Sequence, residues 1–515
     1  MTEDIMLDEA TDVVQTTQRF TQEQQNAINL ARDLAPGECL RVRSGAGTGK
    51  TTTLLGMAHA LTPKRGVYLA FNRTVAEEAY PKFTDTTCTP KTFHGLCLAA
   101  VRGSMSGGPV RYDIRQDVID AGLVAPYRRE LPPGWNEFST GLAAMRTLEA
   151  FCHSDATEIS GVHARKAITD MIGDPDNLIA RKARSQADRT LRALAPILVS
   201  VARRFWSGRL RDGRLSHDVY VKIVQLDPDM RGRAFHNLDY AMADEAQDLN
   251  PVQVSILRQS GISVIAVGDS AQSIHGWRGA RDALNHLEGK TAWLSQSFRF
   301  GETIAALANR ILRAGPDEMN GVRLKGVGGN QPVPENVPSH AVLARSNMGL
   351  IDEAEAMHTR GMSFHLDRGD ELREQIRSAL ALKKNKRHDI KSADIRPFRS
   401  WDDLVEESTG NPTFERLVQI VEDGRAGAVI RTIDSASPMN RAKVCLMTAH
   451  RAKGLEFSAV KMAGDWTPLH ELGDKLAHAS RVSPHRLLQA RQEYNILYVA
   501  VTRAINRVEN IHELM

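Results

Sequence analysis

The sequence predicts an α/β protein of parallel sheets flanked by helices and interrupted by helical insertions. Three observations predict it. The glycine-rich run Ser44-Gly45-Ala46-Gly47-Thr48-Gly49-Lys50-Thr51 follows the apolar-alternating Cys39–Arg43 and leads into Thr52–Ala58, which reads as strand, tight turn and helix. A second apolar run, Gly66–Phe71, comes after that helix, and strand–helix–strand makes a parallel pair. Apolar runs then recur at Leu238–Ala243, Ile262–Val267 and Ser339–Arg345, the last as part of a second sheet.

Composition sets the outer limits. A length of 515 residues predicts three or four domains, and 42% hydrophobic with 25% charged residues describes an ordinary globular chain. No apolar run approaches the ~20 residues of a membrane span. The N-terminus, Met1-Thr2-Glu3-Asp4-Ile5, lacks the layout of a signal peptide. Five scattered cysteines without a Cys-x-x-Cys argue against a disulfide framework or a structural metal, and for a reducing cytoplasm, bacterial or of a virus-infected cell. A net charge of +4 leaves partners to be argued from local patches.

Taken in order, residues 1 to 18 read as a frayed tail. Thr21 can cap a helix whose first turn is favoured by Glu23. The amide of Gln24 could bond both edges of an adenine, although an exposed helix glutamine is the plainer reading of that segment alone. The glycine-rich turn is an anion cradle: curled backbone N–H groups and a helix N-terminus face inward. Lys50 then serves the β/γ-phosphates of a nucleotide, and the Thr51 hydroxyl serves Mg²⁺. Ser44 stands where the general Gly-x-x-x-x-Gly-Lys-Ser/Thr pattern has its first glycine. Phe71, Asn72 and Arg73 lie at the carboxyl end of a parallel strand, where ligands sit. Thr92, Phe93 and His94 follow at another turn, and by themselves Phe93 and His94 read as core before ligand.

From Ser104 to Leu215 the pattern turns helical. Near its end, Arg203-Arg204-Phe205-Trp206 through Arg211 fits either a single-strand contact or a solvated helix end. The run Tyr240–Ala243 ends in Asp244-Glu245, which after a phosphate loop reads as the Mg²⁺ carboxylate and the polariser of an attacking water. Gln272 follows the next strand, placed to sense a γ-phosphate. Trp277, between Gly276 and Arg278, reads as an exposed ring. Lys383-Lys384-Asn385-Lys386-Arg387 reads as a solvated patch ahead of a duplex contact.

These motifs, in this order, resemble a superfamily 1 helicase of the UvrD/PcrA/Rep branch. The match takes in Gln24, the loop Ser44–Thr51 with Thr52 behind it, Ala70-Phe71, Thr92-Phe93-His94, Asp244–Asp248 and Gly268–Ile274. It continues through Gln296–Arg299, Val444–Phe457 and Glu493–Ala504. Two positions depart: His275 and Phe298 stand where the family commonly has tyrosine. Ala70-Phe71-Asn72, the run Leu497–Ala504 and the compact middle resemble the F-box DNA helicase subgroup, with neither an F-box ahead nor a nuclease behind expected.

The resemblance implies two RecA-like domains that clamp ATP and Mg²⁺ between them. The expected division is 1–103 with 216–290 and 291–379 with 443–515, with insertions at 104–215 and 380–442. It implies Arg299 and Arg503 as arginine fingers, Phe298 against the adenine and Glu456 towards the ribose. It implies Phe71, Asn72, Arg73, Thr92, Phe93, His94, His275, Trp277, Arg278, Thr448 and His450 as DNA contacts. The expected activity is an ATP-driven, 3′→5′ monomeric motor on single-stranded DNA and its junctions with duplex, away from membranes. The rival expectations are a translocase that strips proteins without unwinding, an ATP-gated single-strand-binding accessory factor and, more weakly, an RNA track.

Overall fold

The computed structural model describes the chain except residues 1–19, 106–121, 173–180, 213–214, 275–281, 317–321, 330–337, 397, 409–411 and 483. Among the described residues no helix is long and apolar enough to cross a membrane.

The first sheet is built from six strands: β1 (Cys39–Ser44), β2 (Gly66–Ala70), β3 (Cys88–Thr92), β4 (Tyr240–Ala243), β5 (Ser263–Gly268) and β6 (Lys290–Leu294). Their order is β3-β2-β4-β5-β1-β6, and every neighbouring pair is parallel. β2, β4 and β5 are buried at every position. That is why they read as unbroken apolar runs rather than alternating ones: helices cover both faces of a parallel sheet. α1 (Gln22–Arg32), α2 (Lys50–Leu61), α3 (Arg73–Ala79) and α4 (Phe93–Val101) supply that cover locally. α1 starts with a full capping box, in which Thr21 and Gln24 each satisfy the other's backbone N–H.

Helices fill the segment between α4 and β4, among them Glu137–His153, Arg181–Asp212 and His217–Leu226. Their apolar residues join one face of the first sheet in a single core. Phe205 is buried there, and Trp206 packs edge-on against Phe151 at 5.5 Å. Both rings are engaged in that packing.

The short pair β7 (Gln296–Ser297) and β8 (Lys325–Gly326) lies between the two large sheets in sequence. The second sheet is built from β9 (His340–Ala344), β10 (Phe364–Leu366), β11 (Val444–Thr448), β12 (Phe457–Met462) and β13 (Ala504–Glu509). They run in the order β10-β11-β9-β12-β13, again all parallel. Helices from Gly369–Lys383 to Ala426–Asp434 pack on one face of this sheet. Within them Lys383 pairs with Glu422 at 3.0 Å, and Arg387 donates to the carbonyls of Phe398 and Arg399. Those two cations of the basic run hold the local fold together. β6 pairs with β1, so the first sheet reaches Leu294, past the boundary expected at 290/291.

Candidate nucleotide and nucleic-acid cleft

The carboxyl ends of β1, β2, β4 and β5 converge on the turn between β1 and α2. Gly47 and Gly49 hold φ of +73° and +76°, which glycine adopts without strain. A Cβ on Gly47 would stand 2.6 Å from the Cβ of Arg299 and 2.7 Å from Ser297 Oγ. On Gly49 it would stand 2.9 Å from Gln24 Nε2 and 3.6 Å from the Phe298 ring. The loop therefore lies directly under the segment Ser297–Arg299, with Gln24 and Phe298 together at one end. Ser44 commits its hydroxyl to the Gly268 carbonyl at 2.8 Å, tying β1 to β5 from behind the cradle. Gly45 and Ala46 are also turned to the back, where the Ala46 N–H donates to the Tyr498 hydroxyl at 3.1 Å.

Lys50 Nζ lies 3.5 Å from Glu245 Oε1. Glu245 has φ +48°, a left-handed backbone held by the turn after β4 and common at functional sites. Asp244 accepts from the Glu245 N–H at 2.8 Å and from the Tyr68 hydroxyl at 2.6 Å. The two carboxyls are driven apart. Burial, then the charge of Glu245, raises Asp244 above the ordinary carboxylate range. Burial works the same way on Glu245, but Lys50 and Lys453, with the Gln247 hydrogen bond and Arg503, outweigh it and hold that carboxyl low.

From the other side come Arg299, Glu456 and Arg503. Arg299 donates to Glu456 at 2.7 Å and to the Thr502 carbonyl at 2.9 Å, so finger and expected ribose ligand are paired with each other. Arg503 is 1% exposed, and its Nη2 donates to Gln272 Oε1 at 3.1 Å. Burial, then the nearby Arg299, lowers its guanidinium to about 9.

One cleft of about 1160 Å³ collects these groups. Gly47, Thr48, Gly49, Lys50, Thr51, Thr52, Asp244, Glu245 and Gln272 line it from the first sheet, and Phe298, Arg299, Glu456 and Arg503 from beyond β6. Phe71, Asn72, Thr448 and His450 line the same cleft. Phe71 is 43% exposed, unusual for phenylalanine. Asn72 caps α3 through Val75 N–H. His450 is held neutral, with burial first and Arg345 second lowering it to about 4.

Other expected contacts lie elsewhere. Arg73, paired with Glu77, and Thr92, which caps α4, line a separate groove with Tyr80 and Lys91. His94 faces His217 and Tyr220 at 5.9 and 6.2 Å. Phe93 departs from the contact that the resemblance implies: it is 3% exposed, on the face of α4 that joins the core, as its own sequence reads. His275, Trp277 and Arg278 lie outside the described residues.

Sequence reasoning passed over several site neighbours. Tyr68 sits in the fully buried β2, and a buried hydroxyl needs a partner; that was a usable signal for Asp244. Lys453, paired with Asp248 at 2.5 Å, had none beyond its place three residues after His450. Glu23 accepts from both the N–H and the hydroxyl of Ser295, at 2.6 Å each, pinning the strand that leads to Phe298 and Arg299.

The cradle fits a nucleotide polyphosphate, since only glycine leaves room between the loop and Arg299. Thr51 and Asp244 offer the hard oxygen donors that Mg²⁺ takes. Comparison with known proteins identifies the family. Residues 20–290 match the UvrD/REP helicase N-terminal domain. The chain is 27% identical to F-box DNA helicase protein 1 of Schizosaccharomyces pombe, over 96% of this chain and 57% of that protein. It is 28% identical to F-box DNA helicase 1 of Gallus gallus, over 94% and 48% respectively. DNA helicase IV of Escherichia coli is 24% identical over 58% of this chain and 49% of its own length. The chain thus spans about half the length of the curated relatives it matches. With more than half its residues inside the matched domain and its phosphate loop, Asp-Glu pair and arginines gathered on one cleft, the chain belongs to the UvrD/REP helicase family.

Proposed function

We propose that the chain is an ATP-driven DNA helicase that moves 3′→5′ along single-stranded DNA and separates duplexes. The observation that carries the reading is the shared cleft, in which phosphate loop, Asp244-Glu245 and Gln272 face Arg299, Glu456 and Arg503, with Phe71 and His450 opening on the same space. The relatives are named DNA helicases, and the polarity follows the family resemblance.

Phosphoryl transfer needs positioning and charge more than covalent chemistry. The loop amides and Lys50 hold the phosphates of ATP. Glu245, kept ionised by its cationic neighbours, orients and polarises the attacking water. Mg²⁺, held by Thr51 and Asp244, supplies charge neutralisation when bound. Phosphates draw Arg299 from Glu456, freeing that carboxylate for the ribose. Gln272 connects the phosphate end of the cleft to Arg503. Because the arginines and the loop come from different sheets, filling and emptying the cleft changes how the sheets meet. Phe71 stacks a base irrespective of sequence, which suits a motor. The domain division proposed is the two sheets with their helices, 104–215 and 380–442 being insertions.

The test is ATPase rate with and without single-stranded DNA, beside strand displacement from 3′-tailed and 5′-tailed duplexes. Stimulation with displacement from the 3′ tail alone supports the reading. Stimulation without displacement favours a protein-stripping translocase, and no stimulation removes DNA from the function.

A further inference from the structure

We propose that Tyr498 is a positioning residue that ties the back of the phosphate loop to Gln272 and Arg503, so that loop and arginine move as one unit; the inference rests on the proposed ATPase. A continuous hydrogen-bonded chain carries it. The Ala46 N–H donates to the Tyr498 oxygen at 3.1 Å, and the Tyr498 hydroxyl donates to Asp269 Oδ2 at 3.1 Å. Gln272 Nε2 donates to the same Oδ2 at 2.6 Å, and Arg503 Nη2 donates to Gln272 Oε1 at 3.1 Å. None of Ala46, Tyr498, Asp269, Gln272 and Arg503 is more than 4% exposed.

The chemistry allows one arrangement. A carboxylate only accepts and a guanidinium only donates, so the Gln272 amide between them presents N–H to Asp269 and carbonyl to Arg503. The Tyr498 hydrogen is committed to Asp269, which leaves its lone pair for Ala46. Tyr498 and Arg503 lie five residues apart, the first in the helix Pro484–Val501 and the second just past its end. Displacement of the loop at Ala46 is therefore felt at Arg503 along two routes, through that helix and through Asp269–Gln272. Ala46 faces away from the cleft, so Tyr498 senses loop position without touching a nucleotide.

The test is Tyr498→Phe, which keeps the buried ring and deletes both hydrogen bonds, with Asp269→Asn as an independent break in the same chain. Each is compared with the unaltered chain in dissociation constant for a fluorescent ATP analogue, kcat with and without single-stranded DNA, and melting temperature. The expected result is a kcat about tenfold lower or more at an analogue affinity within about threefold, and a double variant no slower than the slower single one. A smaller loss of kcat, a loss that follows weakened affinity and lowered melting temperature, or additive effects in the double variant would each overturn the proposal. The unaltered chain separates the two readings: without DNA stimulation the helicase assignment fails, while basal kcat still decides the role of Tyr498.

Discussion

Lys50 sits 3.5 Å from Glu245 in a recessed site, where a single charge has large effects. Lys50→Ala is expected to lower ATP turnover by about 10²-fold or more, measured by phosphate release at saturating ATP. His450 makes a pH prediction. Its folded value, about 4, lies below the ordinary histidine value of about 6.5. Between those values the unfolded chain takes a proton that the folded chain refuses, so stability is present above pH 6.5 and lost as pH falls towards 4. His450→Gln should flatten that loss by about 2 kcal/mol, part of the shift being discounted for solvent screening. Denaturant midpoints at pH 7 and pH 5 for the two chains check it. At this scale the sequence was legible where chemistry admits few substitutes, as in Gly49-Lys50-Thr51 and Asp244-Glu245. It gave no partner for Lys453 and read Glu23 only as a favourable first-turn charge, because a lysine and a glutamate on a helical or loop segment look alike whether solvated or paired.

The strand–loop–helix from β1 to α2 is the element on which the cleft depends. Gly47→Ala would force a side chain into a left-handed backbone, at about 1–2 kcal/mol, and set its Cβ 2.6 Å from that of Arg299. The expected outcome is ATP binding weakened by at least about tenfold with the melting temperature only modestly lowered, read by nucleotide titration and thermal unfolding. The strands of the first sheet were legible as elements because burial on both faces leaves an unbroken apolar signature. The helix Arg181–Asp212 shows the converse. Its Arg-Arg-Phe-Trp run suits a single-strand contact or a solvated helix end equally, and the packing of Trp206 on Phe151 is visible only in the fold. Phe93 is the opposite case: its own sequence reads as core, where the fold puts it, and only the resemblance made it a contact.

At the scale of the molecule, the two sheets are joined by buried polar bonds as well as by packing. Lys453 Nζ pairs with Asp248 at 2.5 Å and donates to the Gln272 carbonyl at 2.8 Å. Asn495 donates to the Ser273 carbonyl at 2.6 Å. Ala46, Ala271 and Ile274 of the first unit lie in the core of the second. Burial, opposed by Lys453, raises Asp248 to about 6. Lys453→Ala leaves that carboxylate buried and unpaired, at a cost of about 3 kcal/mol near pH 8. Without Lys453 to lower it, Asp248 rises further, so the penalty should shrink as pH falls towards 6, where the carboxyl takes a proton and no charge remains to be compensated. Chemical denaturation of Lys453→Ala at pH 8 and pH 5.5 checks this, and an equal penalty at both values would sink it.

By itself the sequence determined the α/β class, the phosphate loop, the Asp-Glu pair and the order of the motifs. Each is local: it depends on residues a few positions apart whose chemistry or periodicity has few alternatives. Tertiary structure alone decided that Arg299 rests on Glu456 and that Tyr498 reaches the back of the loop. Those outcomes join residues up to 452 positions apart. They are set by how two sheets meet, and no segment of the chain encodes that on its own.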